Sequence, residues 1–518
     1  MDHPRTHVLG RSGRVAGFSR RALLRGLGGV LAAGVLPAFP VRADTGPLPR
    51  GYRVVVIGAG LTGLVAAREI ERRGGEAILL EARERVGGRA WTVRPGDRIA
   101  HLDEDEQRAA ISDGLFLNVG PARIPSHHDQ YLGLCRELGV RLEVLVNSSR
   151  SAFLLDKAGA GGAGRWRLRQ AANDLRGHLS ALLERALRAG ALDQGLDAAT
   201  RAKLVEFLRA YGDLSEEYAY LGSARSGLAQ FPGATIERAV KVPPLTLDAL
   251  LANPELNALL FEEDILMQAT MLQPTGGMDR LPVALAAALR RPPRLGGEVR
   301  EIRRREDGVR VVYRDRRGRD QVVDADRAIV TTPFPILART PADFSPAVAA
   351  AIASVKPADA IKIGFESTPF WEADQIYGGI SFTGGDTGLI WYPSGQFQAK
   401  RQMLLAAYAT DEPAARLAAI GRGQRIEVAR AMVDRTHPGH GVDLANPLAV
   451  HWAQVPFSEG AWVEWDKAGN DIGVCATLNA GDGPFLFAGS HISQYSGHWQ
   501  EGAILSARYA VSRIAATA

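Results

Sequence analysis

The sequence predicts an α/β fold in two domains, and three observations carry that prediction. Arg53 to Ile57 (RVVVI) is a short, β-branched, apolar run, followed at once by Gly58-Ala59-Gly60-Leu61-Thr62-Gly63. Such a run fits a strand buried on both faces. Residues 170 to 266 are dominated by helical patterns punctuated by Gly, Pro and Asn. Later stretches, such as Ile361-Lys362-Ile363-Gly364-Phe365-Glu366, alternate as strands do.

The opening unit is a dinucleotide site by its order of parts. Leu64, Ala67 and Ile70 keep helical spacing until Gly74-Gly75, and residues 77–80 form a second apolar strand ending on Glu81. Gly58 permits a tight turn, Gly60 lets the backbone approach a pyrophosphate, and Gly63 lets helix and strand pack closely. The phosphates sit at the positive N-terminus of the helix, over Leu61 and Thr62. Glu81, about 20 residues on, is placed to accept hydrogen bonds from ribose hydroxyls.

Composition supports an ordinary globular protein: 518 residues, 46% hydrophobic and 23% charged. That length allows two or three domains. The formal charge of +5 does not mark a nucleic-acid face. Residues 1–43 hold seven arginines and one acid, and the remaining 55 basic and 56 acidic residues balance to −1. The same leader contains Ser19-Arg20-Arg21-Ala22-Leu23-Leu24, a Gly/Ala/Leu stretch and Val41-Arg42-Ala43. It resembles a twin-arginine export signal with a small-residue cleavage site, too short and glycine-rich for a stable membrane span. Export to the periplasm or the medium is therefore expected. Cys135 and Cys475 read as buried free thiols, with a disulfide left open, and no His/Cys cluster indicates a metal.

Past the second strand comes Glu84-Arg85-Val86-Gly87-Gly88-Arg89, where paired glycines and an arginine can meet a pyrophosphate. With this addition the chain resembles the flavin amine oxidases, and Asn118 to His128 (NVGPARIPSHH) resembles the motif of their L-amino-acid oxidase branch. The resemblance implies a two-domain fold, with a Rossmann-like FAD domain and a mixed-sheet substrate domain carrying a helical insertion. It divides the chain into an export signal (1–43), FAD-domain parts (50–125, 266–335, 456–518) and substrate-domain parts (126–265, 336–455), the first of these holding the insertion.

Residue by residue, the resemblance implies cofactor contacts at Gly58, Gly60, Leu61, Thr62, Gly63, Glu81, Ala82, Arg83, Gly88, Arg89, Gly120, Pro121, Ala122, Arg123 and Val299, and near the C-terminus at Gly489, Ser490, Trp499, Gln500 and Ala503. The late blocks that carry this are Pro456 to Trp462 (PFSEGAW), Phe485 to His491 (FLFAGSH) and Ser496 to Ala503 (SGHWQEGA). Ala461 stands where monoamine oxidases carry a flavin-linked cysteine, so FAD is expected to be non-covalent. Arg123, held between prolines, is the expected clamp for a substrate carboxylate, with Tyr392 as its partner. Lys362 is expected to steady charge building on oxygen, and Trp462 and Trp499 to wall the site. Two departures stand out: Ser490 replaces an acid, and His498 replaces a glycine and is a candidate base for the substrate ammonium.

The implied activity is oxidative deamination of an L-amino acid to a 2-oxo acid, ammonia and H2O2, the two tryptophans favouring a large apolar side chain. A primary-amine or polyamine oxidase, an amino-acid 2-monooxygenase and an inactive flavoprotein are the alternatives. Expected partners are a small amino-acid substrate and O2, with no nucleic acid, no stable membrane span, and room for a homodimer. The acidic run at 103–106 reads as a solvated turn, His178 as a solvated helix residue, His127 and His128 as helix-start or surface residues, and 257–267 as a helix.

Overall fold

Strand Arg53–Ile57 and helix Leu61–Arg72 form where the apolar run meets the glycines. The computed structural model describes residues 46–156, 164–191, 195–466, 469–495 and 499–518. The expected export leader and His498 lie outside the described residues.

Five parallel strands make the first sheet, in the order Arg294–Leu295, Glu76–Glu81, Arg53–Ile57, Arg327–Val330, Phe485–Phe487. Its members come from three distant parts of the sequence. Alternation along Arg53–Ile57 divides its side chains between two cores. Val54 and Val56 pack with Leu64, Ala67 and Ile70 of the first helix and with Ile504, Ala507 and Val511 of the C-terminal helix Gln500–Thr517. Val55 and Ile57 face the opposite side, against Val309, Val311 and Val323. Those three belong to an antiparallel meander, Glu298–Arg305, Gly308–Arg314 and Asp320–Ala325, which covers that face.

A seven-stranded mixed sheet forms the second layer system, in the order Arg165–Arg167, Phe153–Leu155, Gly379–Gly384, Gly388–Tyr392, Gln402–Thr410, Ala360–Ser367, Ala445–His451. One face carries Ile361, Ile363, Tyr392, Leu404 and Ala406 and packs with Ala429 and Val433 of helix Arg422–Thr436. The other carries Ala360, Trp391, Leu405 and Val450 and packs with Trp91, Val119 and Trp452. A small third sheet joins Ile124–Pro125 and Leu142–Leu145 to a central strand, Met271–Pro274.

The insertion contributes helices Leu168–Arg188, Ala198–Gly212 and Leu247–Ala252. Asp197 caps the second by accepting from Thr200 N at 2.8 Å. The helix expected over 257–267 is instead a 3₁₀ segment, Leu256–Glu263, with no buried residue to reward a longer α-helix. Asp264 then turns the chain by accepting from Leu266 N at 2.9 Å. Among the described residues no helix is long and apolar enough to cross a membrane. Cys135 and Cys475 are both buried and free.

Candidate active site

A cavity of about 990 Å³ lies against the carboxyl ends of the parallel strands, where Ile57, Leu80 and Thr331 line it, and against the Trp391 face of the seven-stranded sheet. The carboxyl edge of a parallel sheet is where loops free themselves from the ladder and ligands bind.

At one end, Gly58, Gly60, Leu61 and Thr62 present the N-terminus of the first helix to the cavity. Gly63 does not line it. A Cβ there would sit 1.9 Å from the Gly58 carbonyl oxygen, so glycine is what lets the helix start so close to the strand. Glu81 is buried; its Oε2 accepts from Ala59 N at 2.8 Å and its Oε1 from Arg83 N at 3.0 Å. Arg83 Nη1 also reaches Oε1, at 3.5 Å, which leaves Oε2 a lone pair for a hydroxyl in the cavity. Ala82, Gly88, Val299 and Gly489 line the same end. Arg83 reaches across to the Pro456 carbonyl and Ser458 Oγ, both at 2.7 Å. Arg89 donates to the Ala461 carbonyl at 2.8 Å and to Ser490 Oγ at 3.3 Å, and burial lowers its pKa to about 10. Gln500 and Ala503 bring the start of the C-terminal helix to the wall. Gln500 is buried, and neither amide atom of its side chain has a hydrogen-bond partner among the described residues.

At the other end, Gly120, Pro121, Ala122 and Arg123 line the cavity. A Cβ on Gly120 would meet the Arg89 carbonyl oxygen at 1.9 Å, so this segment is pressed against the Gly88-Arg89 turn. The Arg123 guanidinium lies 4.7 Å from the Trp391 ring centre, 5.3 Å from Phe261 and 5.9 Å from Trp499. Its Nη1 donates to Asn147 Oδ1 at 2.8 Å. Burial lowers its pKa to about 10, which leaves it a cation at neutral pH. Among the described residues no carboxylate pairs with it. A cation largely withdrawn from water without a counter-ion is costly, and an anionic ligand removes that cost.

Lys362 is buried on the same face. Its Nζ donates to the Gly120 carbonyl at 2.5 Å and to the Asn118 carbonyl at 3.3 Å. Burial, assisted by the charge of Arg123, lowers its pKa to about 7. Tyr408 stands opposite Lys362 in the adjacent strand, its ring centre 4.8 Å from Nζ. Burial raises the Tyr408 phenol pKa, and the positive charge of Arg123 pulls against that rise, so phenol and guanidinium lie within electrostatic reach. Trp462 and Trp499 line the cavity, as does Trp452, whose Nε1 donates to the Val119 carbonyl at 2.9 Å.

Tyr392 requires a correction. Strand alternation puts Trp391 on the cavity face and Tyr392 on the other. The Tyr392 hydroxyl pairs with Ser381 Oγ and His437 Nε2, each at 2.7 Å, and His437 Nδ1 meets Asp374 at 2.9 Å. Tyr392 therefore belongs to a buried polar chain behind the sheet, and Tyr408 is the phenol beside Arg123.

One minor reading changes and two hold in part. His178 is half-buried and meets the Leu245 carbonyl at 2.8 Å, tying the insertion together. His128 stands at the start of helix Asp129–Glu137, as expected, but is buried, edge-on to Trp499 at 5.2 Å, and burial lowers its pKa to about 3. The acidic turn is anchored through Glu104 to the buried Arg425.

A family model described as flavin containing amine oxidoreductase matches residues 61–515. The chain belongs to that family. It is 30% identical to the flavin-dependent L-tryptophan oxidase RebO of Lentzea aerocolonigenes, covering 90% of this chain and 99% of that protein. It is 28% identical to an L-amino-acid oxidase of Siganus canaliculatus, covering 89% of this chain and 85% of that one. The solved structure of a putrescine oxidase bound to putrescine shares the fold, with a TM-score of 0.61 at 20% identity, covering 90% of this chain and 99% of that one.

A flavin-dependent oxidoreductase needs a place for its cofactor, and the residues present fit one. Two helix N-termini reach the wall with no side chain capping them, at Gly60 and at Trp499. Among the described residues the Gln500 amide is unpartnered and Arg89 has no acidic partner, so both have donors free for a flavin.

Proposed function

We propose that this flavin-containing amine oxidoreductase oxidises an L-amino acid to its 2-oxo acid, with FAD held non-covalently. Arg123 carries the proposal: a half-buried cation lining the catalytic cavity with no acidic partner among the described residues. An amine substrate offers it nothing, and an amino-acid carboxylate neutralises it. Tyr408 supplies the second hydrogen bond to that carboxylate, the role the sequence assigned to Tyr392. Ala461 lines the cavity and offers only a methyl group, and both cysteines are buried in helices away from its wall.

When bound, FAD accepts the hydride from the α-carbon and delivers the electrons to O2. The chain's own part is to bind, orient and dry the site. Arg123 and Tyr408 fix the carboxylate and so fix the α-hydrogen. The substrate ammonium sheds a proton before the C–H bond breaks, because only a free amine lone pair stabilises the developing iminium. Trp391, Trp462 and Trp499 exclude water. Lys362 holds a proton on Nζ, poised near neutrality, where negative charge builds on oxygen. The imine then takes up water and gives the 2-oxo acid and ammonia, and O2 leaves as H2O2. The aromatic lining, and a relative named for tryptophan, support a large apolar side chain.

Product analysis in air tests this reading. Equal yields of 2-oxo acid and H2O2 are expected; an amide with CO2 identifies a monooxygenase instead. A pair of variants tests the phenol. Tyr408→Phe is expected to raise KM for the amino acid about tenfold, the worth of one hydrogen bond to a charged group. Tyr392→Phe is expected to leave KM unchanged and to lower stability by about 1–3 kcal/mol, because it strands His437. The reverse pattern would return the role to Tyr392.

We also propose that the leader exports the folded, flavin-loaded protein. Replacing Arg20 and Arg21 by lysine is expected to retain active enzyme in the cytoplasm. An unchanged distribution on cell fractionation contradicts this.

A further inference from the structure

Asn147 is buried and makes two hydrogen bonds of opposite sense. Its Oδ1 accepts from Arg123 Nη1 at 2.8 Å, and its Nδ2 donates to the Met267 carbonyl at 2.6 Å. Arginine only donates and a backbone carbonyl only accepts, so the two partners fix the orientation of the amide. The small three-stranded sheet gathers all three residues. Arg123 immediately precedes Ile124–Pro125, Asn147 follows Leu142–Leu145 by two residues, and Met267 precedes Met271–Pro274 by four.

Both bonds bear on the substrate end of the cavity. Arg123 and Met267 line it. Met267 ends the run that begins with the 3₁₀ segment Leu256–Glu263, and that segment lays Phe261 against the Arg123 guanidinium. One side chain therefore ties the carboxylate-binding cation to the part of the insertion that roofs it. The chemistry of the side chain matters too. An aspartate could accept from Arg123 equally well, but it would cancel the charge meant for the substrate and could not donate to Met267. A neutral acceptor aims the guanidinium and leaves its charge unspent.

We propose that Asn147 is the positioning residue of this site: it aims Arg123 at the substrate carboxylate and docks the Leu256–Glu263 run, through Met267, over the same pocket. The inference rests on the amino-acid oxidase reading and adds to it a residue outside the cavity wall.

The test uses the full flavin-loaded protein and two probes of one shape, benzoate and neutral benzamide, titrated through their effect on the flavin spectrum. Wild type is expected to prefer benzoate. Asn147→Ala is expected to weaken benzoate at least about tenfold, as loss of a hydrogen bond to a charged group does. The near-isosteric Asn147→Asp is expected to weaken it further, about a hundredfold, by neutralising the guanidinium. For an L-amino acid, KM rises in both variants while kcat stays within about threefold, since the reacting atoms are untouched. Benzamide affinity is the control that a purely structural role would move equally. A preference for benzoate that survives in Asn147→Asp overturns the inference alone. A wild type indifferent to the carboxylate overturns the amino-acid reading and this inference with it.

Discussion

Arg123→Met loses oxidation of amino acids and keeps its flavin. Removing one partner of a buried, hydrogen-bonded charge pair costs about 2–5 kcal/mol. That is roughly 30-fold to several-thousand-fold in kcat/KM. Arg123 is half-buried, lies over Trp391 at 4.7 Å from the ring centre, and has no acid of its own among the described residues. The apolar variant relieves an unpaired charge but strands the Asn147 Oδ1 acceptor, so the two effects oppose and its melting temperature is expected to stay near the parent's. Arg123→Lys does not restore activity, because an ammonium reproduces neither the planar stack nor the paired donors. Oxidation of the decarboxylated amine, however slow, is expected to be unchanged or improved. Steady-state kinetics on an amino acid and its amine, with flavin content and melting temperature as controls, check this. An unchanged KM for the amino acid would remove Arg123 from the site.

Lys362→Met separates the two halves of turnover. Reduction by substrate is expected to persist, and reoxidation by O2 to slow by about 10²–10³, the usual loss when one preorganised donor to a developing negative charge is removed. The pH dependence follows from the lowered pKa of about 7. The ammonium is the effective form and predominates below that value, so wild-type reoxidation is expected to fall as pH rises through about 7. The variant's rate is expected to be flat over the same interval. Stability moves the other way. The unfolded lysine stays protonated up to its ordinary value of 10.5, whereas the folded one does not, so wild-type stability rises with pH from about 7 upward. The burial penalty is fully present below about 7, and Lys362→Met is expected to melt higher there. Stopped-flow reoxidation from pH 6 to 9 reads the first effect and thermal melts the second. A rate that rises with pH would mean that the neutral amine is the working form.

The glycine-rich strand–helix–strand unit was legible because its signal is local. The strand Arg53–Ile57, the glycines and Glu81 lie within one βαβ stretch, and Gly63 answers to a nearby backbone atom, the Gly58 carbonyl. Arg123 and Lys362 were legible because short rigid motifs surround them. Tyr392 was misplaced because a motif match gave its position and said nothing of its face. The alternation Ile390-Trp391-Tyr392 leaves two choices, and only the pairing of Gln402–Thr410 with Ala360–Ser367 brings Tyr408 to Lys362. That register is fixed by contacts 46 residues apart in the chain, which no local pattern encodes. Asn147 was missed for a similar reason. It looks like one polar residue after an apolar strand, and both of its partners are brought in by the small third sheet. The 3₁₀ form of Leu256–Glu263 was missed because its apolar residues keep helical spacing, while the segment buries none of them.

The central claim is that this cavity takes the α-amine of a molecule that also carries a carboxylate. Anaerobic mixing of the flavin-loaded protein with an L-amino acid bearing a large apolar side chain, and separately with its decarboxylated amine, tests it most directly. Bleaching of the flavin by the amino acid and not by the amine is the predicted result. Bleaching by the amine alone would contradict the account.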